Sequence, residues 1–459
     1  MDLRQALVDV VGPAHVLSDP DLTASYERDY TGRYNGRARF VVRPADTAEV
    51  AGVVVACARH KAAVVPQGGN TGLVGASVPR DGEVVISLLR LNQIGEVDSA
   101  LGQVTIGAGA TLAGLQAAAR AVGDDAGLDF GARDSCTVGG VVACDAGGAR
   151  ALRHGTARAH VAGLEAVLAN GSIVSRMAGL QKDNAGYDIP ALLIGSEGTL
   201  GIITSVRWRL TRLLSSRVAA LVPLSSAREA AELLGALRAN APSLESCDFF
   251  LDDGLQLVLD HQRRQSPLGT RAPLYVLAEC AARIDPTDEL AEALEAAGIE
   301  DALIADDTAS REGLWSLREG HTDAINAAGI PHKLDVGVPL NRLASFLERV
   351  SEVAAAAGGE RVVLFGHLGD GNVHVNVLGA ADGTEVDDAV LELVIEYGGT
   401  ISAEHGVGVA KARWLERARG ASDVAAMRAI KQALDPDNRL NPGAVLPAHV
   451  IIGACLETT

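Results

Sequence analysis

Aromatic side chains are scarce, 3% of 459 residues, and lysine is rare beside arginine; neither bias points to a mechanism. Six cysteines (Cys57, Cys136, Cys144, Cys247, Cys280 and Cys455) are scattered with no C-x-x-C among them. That argues against a disulfide framework and fits reduced thiols in a cytoplasm. No run of about 18 uncharged apolar residues exists, so nothing is expected to span a membrane. The N-terminus carries acidic residues early and lacks an apolar core segment, so no signal peptide is expected. Positive charge is also short. The formal net charge is -18 and no basic patch stands out, which argues against nucleic acid and against electrostatic attachment to anionic lipid.

What is present is a long mixed pattern with room for two or three domains. Residues 2–11 read as an amphipathic helix, and Ser18-Asp19-Pro20 opens another with proline in its first turn. A β-α-β unit follows: a strand at 40–44, a helix at 47–59 and a strand at 63–66. It delivers the chain to Pro66-Gln67-Gly68-Gly69-Asn70-Thr71-Gly72-Leu73, a glycine loop that can bring backbone N–H groups close to a bulky anion such as a pyrophosphate. No G-K-[ST] follows, so it is not a P-loop, and the Rossmann Gly-x-Gly-x-x-Gly is absent.

Short strands are expected at 84–88, 94–97 and 104–106, then a helix at 111–122. A second glycine region runs from Ser135 through Thr137-Val138-Gly139-Gly140 to Gly147-Gly148, and a hairpin at 161–174 turns at Asn170-Gly171. A third region is Gly195-Ser196-Glu197-Gly198-Thr199-Leu200-Gly201-Ile202. Three glycine clusters on mixed α/β units suit one long ligand lying across several loops, and a dinucleotide has that length.

These three clusters, in order and spacing, resemble the flavin-binding half of the vanillyl-alcohol-oxidase-type, or PCMH-type, FAD flavoproteins. The resemblance implies an FAD-binding domain of two α/β subdomains over residues 1–213. It implies FAD contacts from Pro66, Gln67, Gly68, Gly69, Asn70, Thr71, Gly72 and Leu73 in the first cluster. Ser135, Thr137, Val138, Gly139, Gly140 and Gly148 would serve from the second, Glu197, Gly198, Gly201 and Ile202 from the third, and Asn441 from the tail. Some members attach FAD through a histidine in the first loop; Asn70 stands in that neighbourhood, which implies non-covalent FAD. One departure is Cys144-Asp145, where relatives usually read Thr-Asn; a carboxylate beside a pyrophosphate is unfavourable unless it points away.

After about residue 213 strand–helix pairs repeat. They read as an α+β domain, residues 214–412, with helices on one side of an antiparallel sheet, and a duplicated ferredoxin-like unit is one arrangement of it. One long helix is expected over 308–327. Residues 413–459 are expected to be helical to 434 and then turn-rich.

Within this half, Phe365-Gly366-His367-Leu368-Gly369-Asp370-Gly371-Asn372-Val373-His374-Val375-Asn376 alternates polar and apolar from Asn372, so His374 and Asn376 share a strand face. His367 is expected on the glycine-rich turn before that strand, free to bend back. Ser402-Ala403-Glu404-His405-Gly406-Val407-Gly408 adds a carboxylate and another imidazole, with Gly406 and Gly408 permitting the turn that lets neighbours converge. Each histidine alone reads as a residue capping backbone groups in a hairpin. Together, His367, His374 and Glu404 read as a catalytic-type divalent metal site with open positions for substrate. His405 is the general-base candidate, since an imidazole titrates near neutrality; an ordinary supporting histidine is the alternative.

These motifs, with Trp315-Ser316-Leu317-Arg318-Glu319, resemble the flavoprotein 2-hydroxyacid dehydrogenases over nearly the whole chain. That branch contains D-lactate dehydrogenase, the glycolate oxidase flavin subunit and D-2-hydroxyglutarate dehydrogenase. The resemblance implies FAD- and metal-dependent oxidation of a small D-2-hydroxy acid to the 2-keto acid, with Arg318, Thr322, Lys333 and Asn376 binding substrate. Two cations suit a dicarboxylate, which favours D-2-hydroxyglutarate; D-lactate or glycolate is the alternative, and a non-catalytic flavin-binding subunit a third reading. Zinc is the first expectation for the ion, with manganese, iron or cobalt as others. Electrons are expected to leave to an electron-transfer flavoprotein or a quinone, since no NAD fingerprint exists. A homodimer is left open. Trp315 is expected in the core and Asp370 as a turn former.

Overall fold

The computed structural model describes residues 2–381 and 383–447. Cys455 and the last part of the expected C-terminal segment lie outside the described residues.

The first half holds two four-stranded sheets. In one, Phe40–Val42 and Val64–Gln67 both run parallel to Val84–Ser87, and Val16–Leu17 adds an antiparallel edge. The crossover helix Thr47–Arg59 starts where it should, because the Asp46 carboxylate accepts a hydrogen bond from Glu49 N at 2.8 Å. The other sheet is antiparallel, in the order Gln103–Gly107, Ile202–Arg209, Val161–Val167, Ile173–Arg176. The two sheets share one apolar core with the helix Val138–Cys144 and buried Trp208, whose indole N–H donates to Ala126 O at 2.9 Å. The strand expected over 94–97 is reduced to one bridge, Ile94 to Ile106.

The second half is built on a seven-stranded antiparallel sheet. Its order is Leu303–Ala305, Ser216–Leu224, Leu274–Ala282, Leu244–Leu251, Arg361–His367, Asn372–Leu378, His332–Gly337. Taken in chain order, the first four strands lie 4-1-3-2, the ferredoxin-like arrangement, and the last three lie 2-3-1. The place of an eighth strand, outside His332–Gly337, is held by a single antiparallel bridge from Gly337 to Thr400. That bridge leads straight into the turn carrying Glu404 and His405.

The helices expected on one side are there: Ala227–Asn240, Thr287–Ala296, Leu340–Ala356 and Glu385–Glu396 cover one face. Three more, Asp252–Gln262, Thr308–Glu319 and His321–Ala328, pack on part of the other face. Central strands of this kind are apolar on both faces, and both must be covered. The single helix expected over 308–327 is therefore two, hinged at Gly320, where an added Cβ would lie 2.5 Å from Gln262 Nε2 and 2.8 Å from Ser316 O.

The chain returns to the first half at its end. Val64 N donates to Arg439 O and Asn441 N to Val64 O, both at 2.8 Å. The halves also meet through Arg153, which donates to Ser243 O at 3.0 Å and Ala281 O at 2.6 Å.

Candidate active site

Between the halves lies a cavity of about 1380 Å³. At one end are the glycine clusters. Two observations test whether they suit a flavin dinucleotide. The backbone comes so close that a Cβ on Gly69 would sit 1.9 Å from Ser135 O, and one on Gly68 2.1 Å from Thr137 Oγ1. Thr137 Oγ1 is itself buried with no hydrogen-bond partner, a donor–acceptor left for something in the cavity. Both fit a long ligand gripped by backbone. Asn70 adopts φ 54° and is held by its own side chain, which donates to Arg28 O at 2.7 Å and accepts from Ser77 Oγ at 2.8 Å.

The remaining residues expected from the glycine clusters line this end, with two exceptions, Val138 and Asn441. Val138 opens a helix with its side chain in the core. Asn441 lies behind the loops, where its amide donates to Ala76 O at 2.9 Å and Glu197 O at 2.8 Å, tying the tail to two clusters. Asp145 does point away: its carboxylate takes Arg158 N and Nε, both at 2.9 Å.

Glu197 reaches across to the second half. Its buried carboxylate accepts from Val407 N at 2.7 Å and Gly408 N at 2.9 Å, and burial pushes it up to about 7 despite those bonds. The third glycine cluster is thus bonded to the turn that carries Glu404 and His405.

At the other end of the cavity, three imidazoles converge on one oxygen. Glu404 Oε1 lies 3.7 Å from His367 Nε2, 3.5 Å from His374 Nε2 and 3.6 Å from His405 Nε2. Hydrogen bonds are shorter than this. Donor atoms around one tetrahedral ion, each at ~2.1 Å, lie roughly 3.4 Å from each other, so the spacing and the N/O donor set fit a divalent ion.

His367 is not on the turn. It ends the strand Arg361–His367, paired with Asn372 in a hairpin whose turn is closed by Asp370 accepting from Asn372 N at 3.0 Å. Two residues after Phe365, which faces His374 across the pair, it reaches the same sheet face as His374 without bending back.

Sequence reasoning missed two buried aspartates here. Asp248 is in register across from His367, and its Oδ1 is 2.9 Å from His367 Nδ1. Asp335 is in register across from His374, with Oδ1 3.7 Å from His374 Nδ1. Asp335 Oδ2 also accepts the backbone N–H groups of Ala403 at 3.0 Å, Glu404 at 2.9 Å and His405 at 2.9 Å, which shapes the turn; Gly406 completes it at φ 85°. Asp335, His374, Glu404 and His405 form a group whose donor atoms all lie within 4.8 Å of one another; His367 is not part of that group and meets it through Glu404. The Asp335 oxygens are already taken by these amides and by Asn372 Nδ2 at 2.6 Å, so we read it as the organiser of the turn.

Electrostatics follow from the packing. Burial opposes charge on Glu404, yet the three imidazoles hold it down to about 2. Burial takes His374 down to about 3, against the pull of Glu404. Burial would lower His367 too, but Asp248 and Glu404 outweigh it and raise it to about 10.

The expected substrate residues line the same space. Arg318 stands 4.6 Å over the Phe365 ring, its Nε 2.9 Å from Asp248 Oδ2. Thr322 lies beyond the break at Gly320 but faces the same cavity, as do Lys333 and Asn376, which pair across neighbouring strands. Burial lowers the Lys333 ammonium. Trp315 belongs to the cavity wall, its indole donating to Glu279 Oε2 at 2.8 Å.

A seven-stranded antiparallel cap closing glycine loops over a histidine–carboxylate cluster defines an FAD-linked oxidoreductase. The chain belongs to the FAD-linked oxidase family: residues 38–176 match the FAD binding domain and residues 213–445 the FAD linked oxidases, C-terminal domain. Among curated proteins it is similar to the D-2-hydroxyglutarate dehydrogenase of Xanthomonas citri pv. viticola, 37% identical over 97% of both chains. It is also similar to the mitochondrial D-2-hydroxyglutarate dehydrogenase of Arabidopsis thaliana, 35% identical over 96% of this chain and 80% of that one. Among solved structures, p-cresol methylhydroxylase with substrate bound shares the fold, with a TM-score of 0.75, 17% identity and coverage of 97% of this chain and 96% of that one.

Proposed function

We propose that this protein oxidises D-2-hydroxyglutarate to the 2-keto acid, using non-covalent FAD and a divalent ion, zinc first. The observation that carries the reading is the convergence of His367, His374 and His405 on one Glu404 oxygen, at the end of a cavity walled by Arg318 and Lys333. The names of the similar curated proteins support the substrate.

Bound FAD supplies the two-electron acceptor for the hydride leaving C2, and a bound ion the charge that acidifies the C2 hydroxyl. His367, His374 and Glu404 would hold the ion. His405 takes the hydroxyl proton at Nε2. It is the base because its side chain is 25% exposed, more than those of His367 (10%), His374 (11%) or Glu404 (18%). Asn376 orients the C1 carboxylate, and Arg318, with Thr322 and Lys333, takes the distal one; a guanidinium fork and an ammonium both favour carboxylate oxygens. Electrons then pass to an electron-transfer flavoprotein or a quinone. The described cysteines are all free thiols, which suits a reducing cytoplasm.

Anaerobic mixing with D-2-hydroxyglutarate tests this. Flavin absorbance is expected to bleach in the metal-replete enzyme and to persist after EDTA. No bleaching before EDTA overturns the substrate; equal bleaching after verified metal removal overturns the role of the ion.

A further inference from the structure

Asp248 touches two groups to which different tasks fall. Its Oδ1 lies 2.9 Å from Nδ1 of His367, and its Oδ2 lies 2.9 Å from Nε of Arg318. The residue is 1% exposed. The first contact is fixed by strand register, because Asp248 and His367 are direct cross-strand partners. The second comes from a helix packed on the same sheet face, with the guanidinium also seated over Phe365 on the strand that carries His367. Arg318 Nε is not aligned on the carboxylate for a hydrogen bond, so this contact is an ion pair, and no other carboxylate pairs with Arg318 among the described residues.

We infer that Asp248 is a positioning residue that couples the substrate-binding arginine to the metal-binding histidine, so that each subsite takes its geometry only when the other is in place. The inference rests on the function proposed above. A carboxylate behind a metal-binding imidazole fixes the ring's orientation and strengthens its free nitrogen as a donor. Here the same carboxylate also sets the rotamer of Arg318. A change at either partner must therefore be felt by the other through one rigid, buried group. A purely structural ion pair would stabilise the fold but leave metal affinity and substrate KM independent of each other.

The test uses FAD-loaded full-length protein, with zinc affinity measured by chelator competition in the absence of substrate, and with kcat and KM for D-2-hydroxyglutarate. In Asp248→Asn, FAD content is expected to be retained, zinc affinity to fall about 10- to 100-fold, and KM to rise with it. Asp248→Glu keeps the charge but displaces it, and is expected to shift both quantities in the same direction; it serves if the Asn variant does not fold. In Arg318→Lys, zinc affinity is expected to fall by about 5-fold or more although the substituted side chain is no ligand. Wild-type zinc affinity in Arg318→Lys together with wild-type affinity and KM in a folded Asp248 variant overturns the coupling. If the wild-type enzyme binds no divalent ion and does not turn over the dicarboxylate, the proposed function fails and the coupling with it. If it does both and the Asp248 variants match it, only the coupling fails.

Discussion

Asp335 and His374 face each other across two antiparallel strands, in register, while one oxygen of Asp335 gathers the amides of residues 403, 404 and 405. A single carboxylate thus sets both a strand imidazole and the turn that brings Glu404 to it. Asp335→Ala leaves three amides without their acceptor and the buried Lys411 ammonium without its main counter-charge, although Lys411 keeps its hydrogen bond to the residue-335 carbonyl at 2.9 Å. Removing one partner of such a buried charged network costs about 3–5 kcal/mol. The expected result is a lower urea midpoint and loss of bound metal, checked by equilibrium unfolding and metal analysis of the purified protein.

Lys333 is the cation that should separate dicarboxylate from monocarboxylate substrates. Losing one charge-assisted contact is worth roughly 1.5–3 kcal/mol, about 10- to 150-fold in kcat/KM. Lys333→Ala is expected to lose that much with D-2-hydroxyglutarate and to change little with D-lactate or glycolate. Steady-state assays with a dye acceptor check it; turnover of D-2-hydroxyglutarate that barely changes would favour the shorter acids.

The glycine loop should be intolerant in a graded way. A Cβ at Gly69 meets backbone at 1.9 Å, whereas one at Gly68 meets a threonine hydroxyl that can rotate. Overpacking of this kind costs about 1–3 kcal/mol where nothing can yield. Gly69→Ala is expected to purify with little flavin, and Gly68→Ala with more. Denaturing the wild type should release its flavin into the supernatant, since Asn70 offers no attachment point.

Acid should weaken the fold through buried imidazoles. Burial lowers His160, stacked at 5.2 Å on Trp208, to about 4, and His321 to about 3. Both are neutral in the folded protein and titrate near 6.5 when unfolded. Between those values the unfolded chain binds more protons, so stability is kept above pH 6.5 and lost as pH falls toward 4. For His160 the whole effect is about 3 kcal/mol. His160→Gln is expected to flatten the fall of the urea midpoint between pH 7 and pH 4.5; an unchanged slope would show that other groups carry it.

A second acid-sensitive group joins the halves. Glu245 is buried, which opposes its charge, but His154, Arg217 and Arg150 pull it down to about 2. Its contribution is present above about pH 4.5 and fades as pH falls below that. Glu245→Gln is expected to lower stability at pH 7 by about 3–5 kcal/mol and to narrow the difference from wild type at pH 3, read by the same unfolding assay.

The chemistry was more legible in the sequence than its scaffold. Alternation from Asn372 gives the strand face of His374 and Asn376, and the Glu404-His405 pair between glycines announces a turn. Asp248 and Asp335 could not be singled out among 58 acidic residues, because their roles come from the register of strands far apart in the chain. The same is true of His367, whose strand could not be separated from the turn by local pattern. The sheet's second face does have a local signal: Val218-Ala219-Ala220-Leu221-Val222 has no polar alternation, as a strand covered on both sides should read. The family resemblance implies a cofactor contact from Asn441; the tail does return to the glycine loops, but the Asn441 amide is spent on Ala76 O and Glu197 O behind them.

The place beyond His332–Gly337 where repetition would put an eighth strand is given over to the turn behind Thr400. A complete strand would have spent the N–H groups of residues 403–405 on a neighbour, two pointing one way and one the other. Left out of any ladder, all three can curl around one acid, and the donor pair rides on that curl. A sheet that stops short of its own symmetry has, in this protein, made the rim of an incomplete repeat into the floor of a reaction chamber.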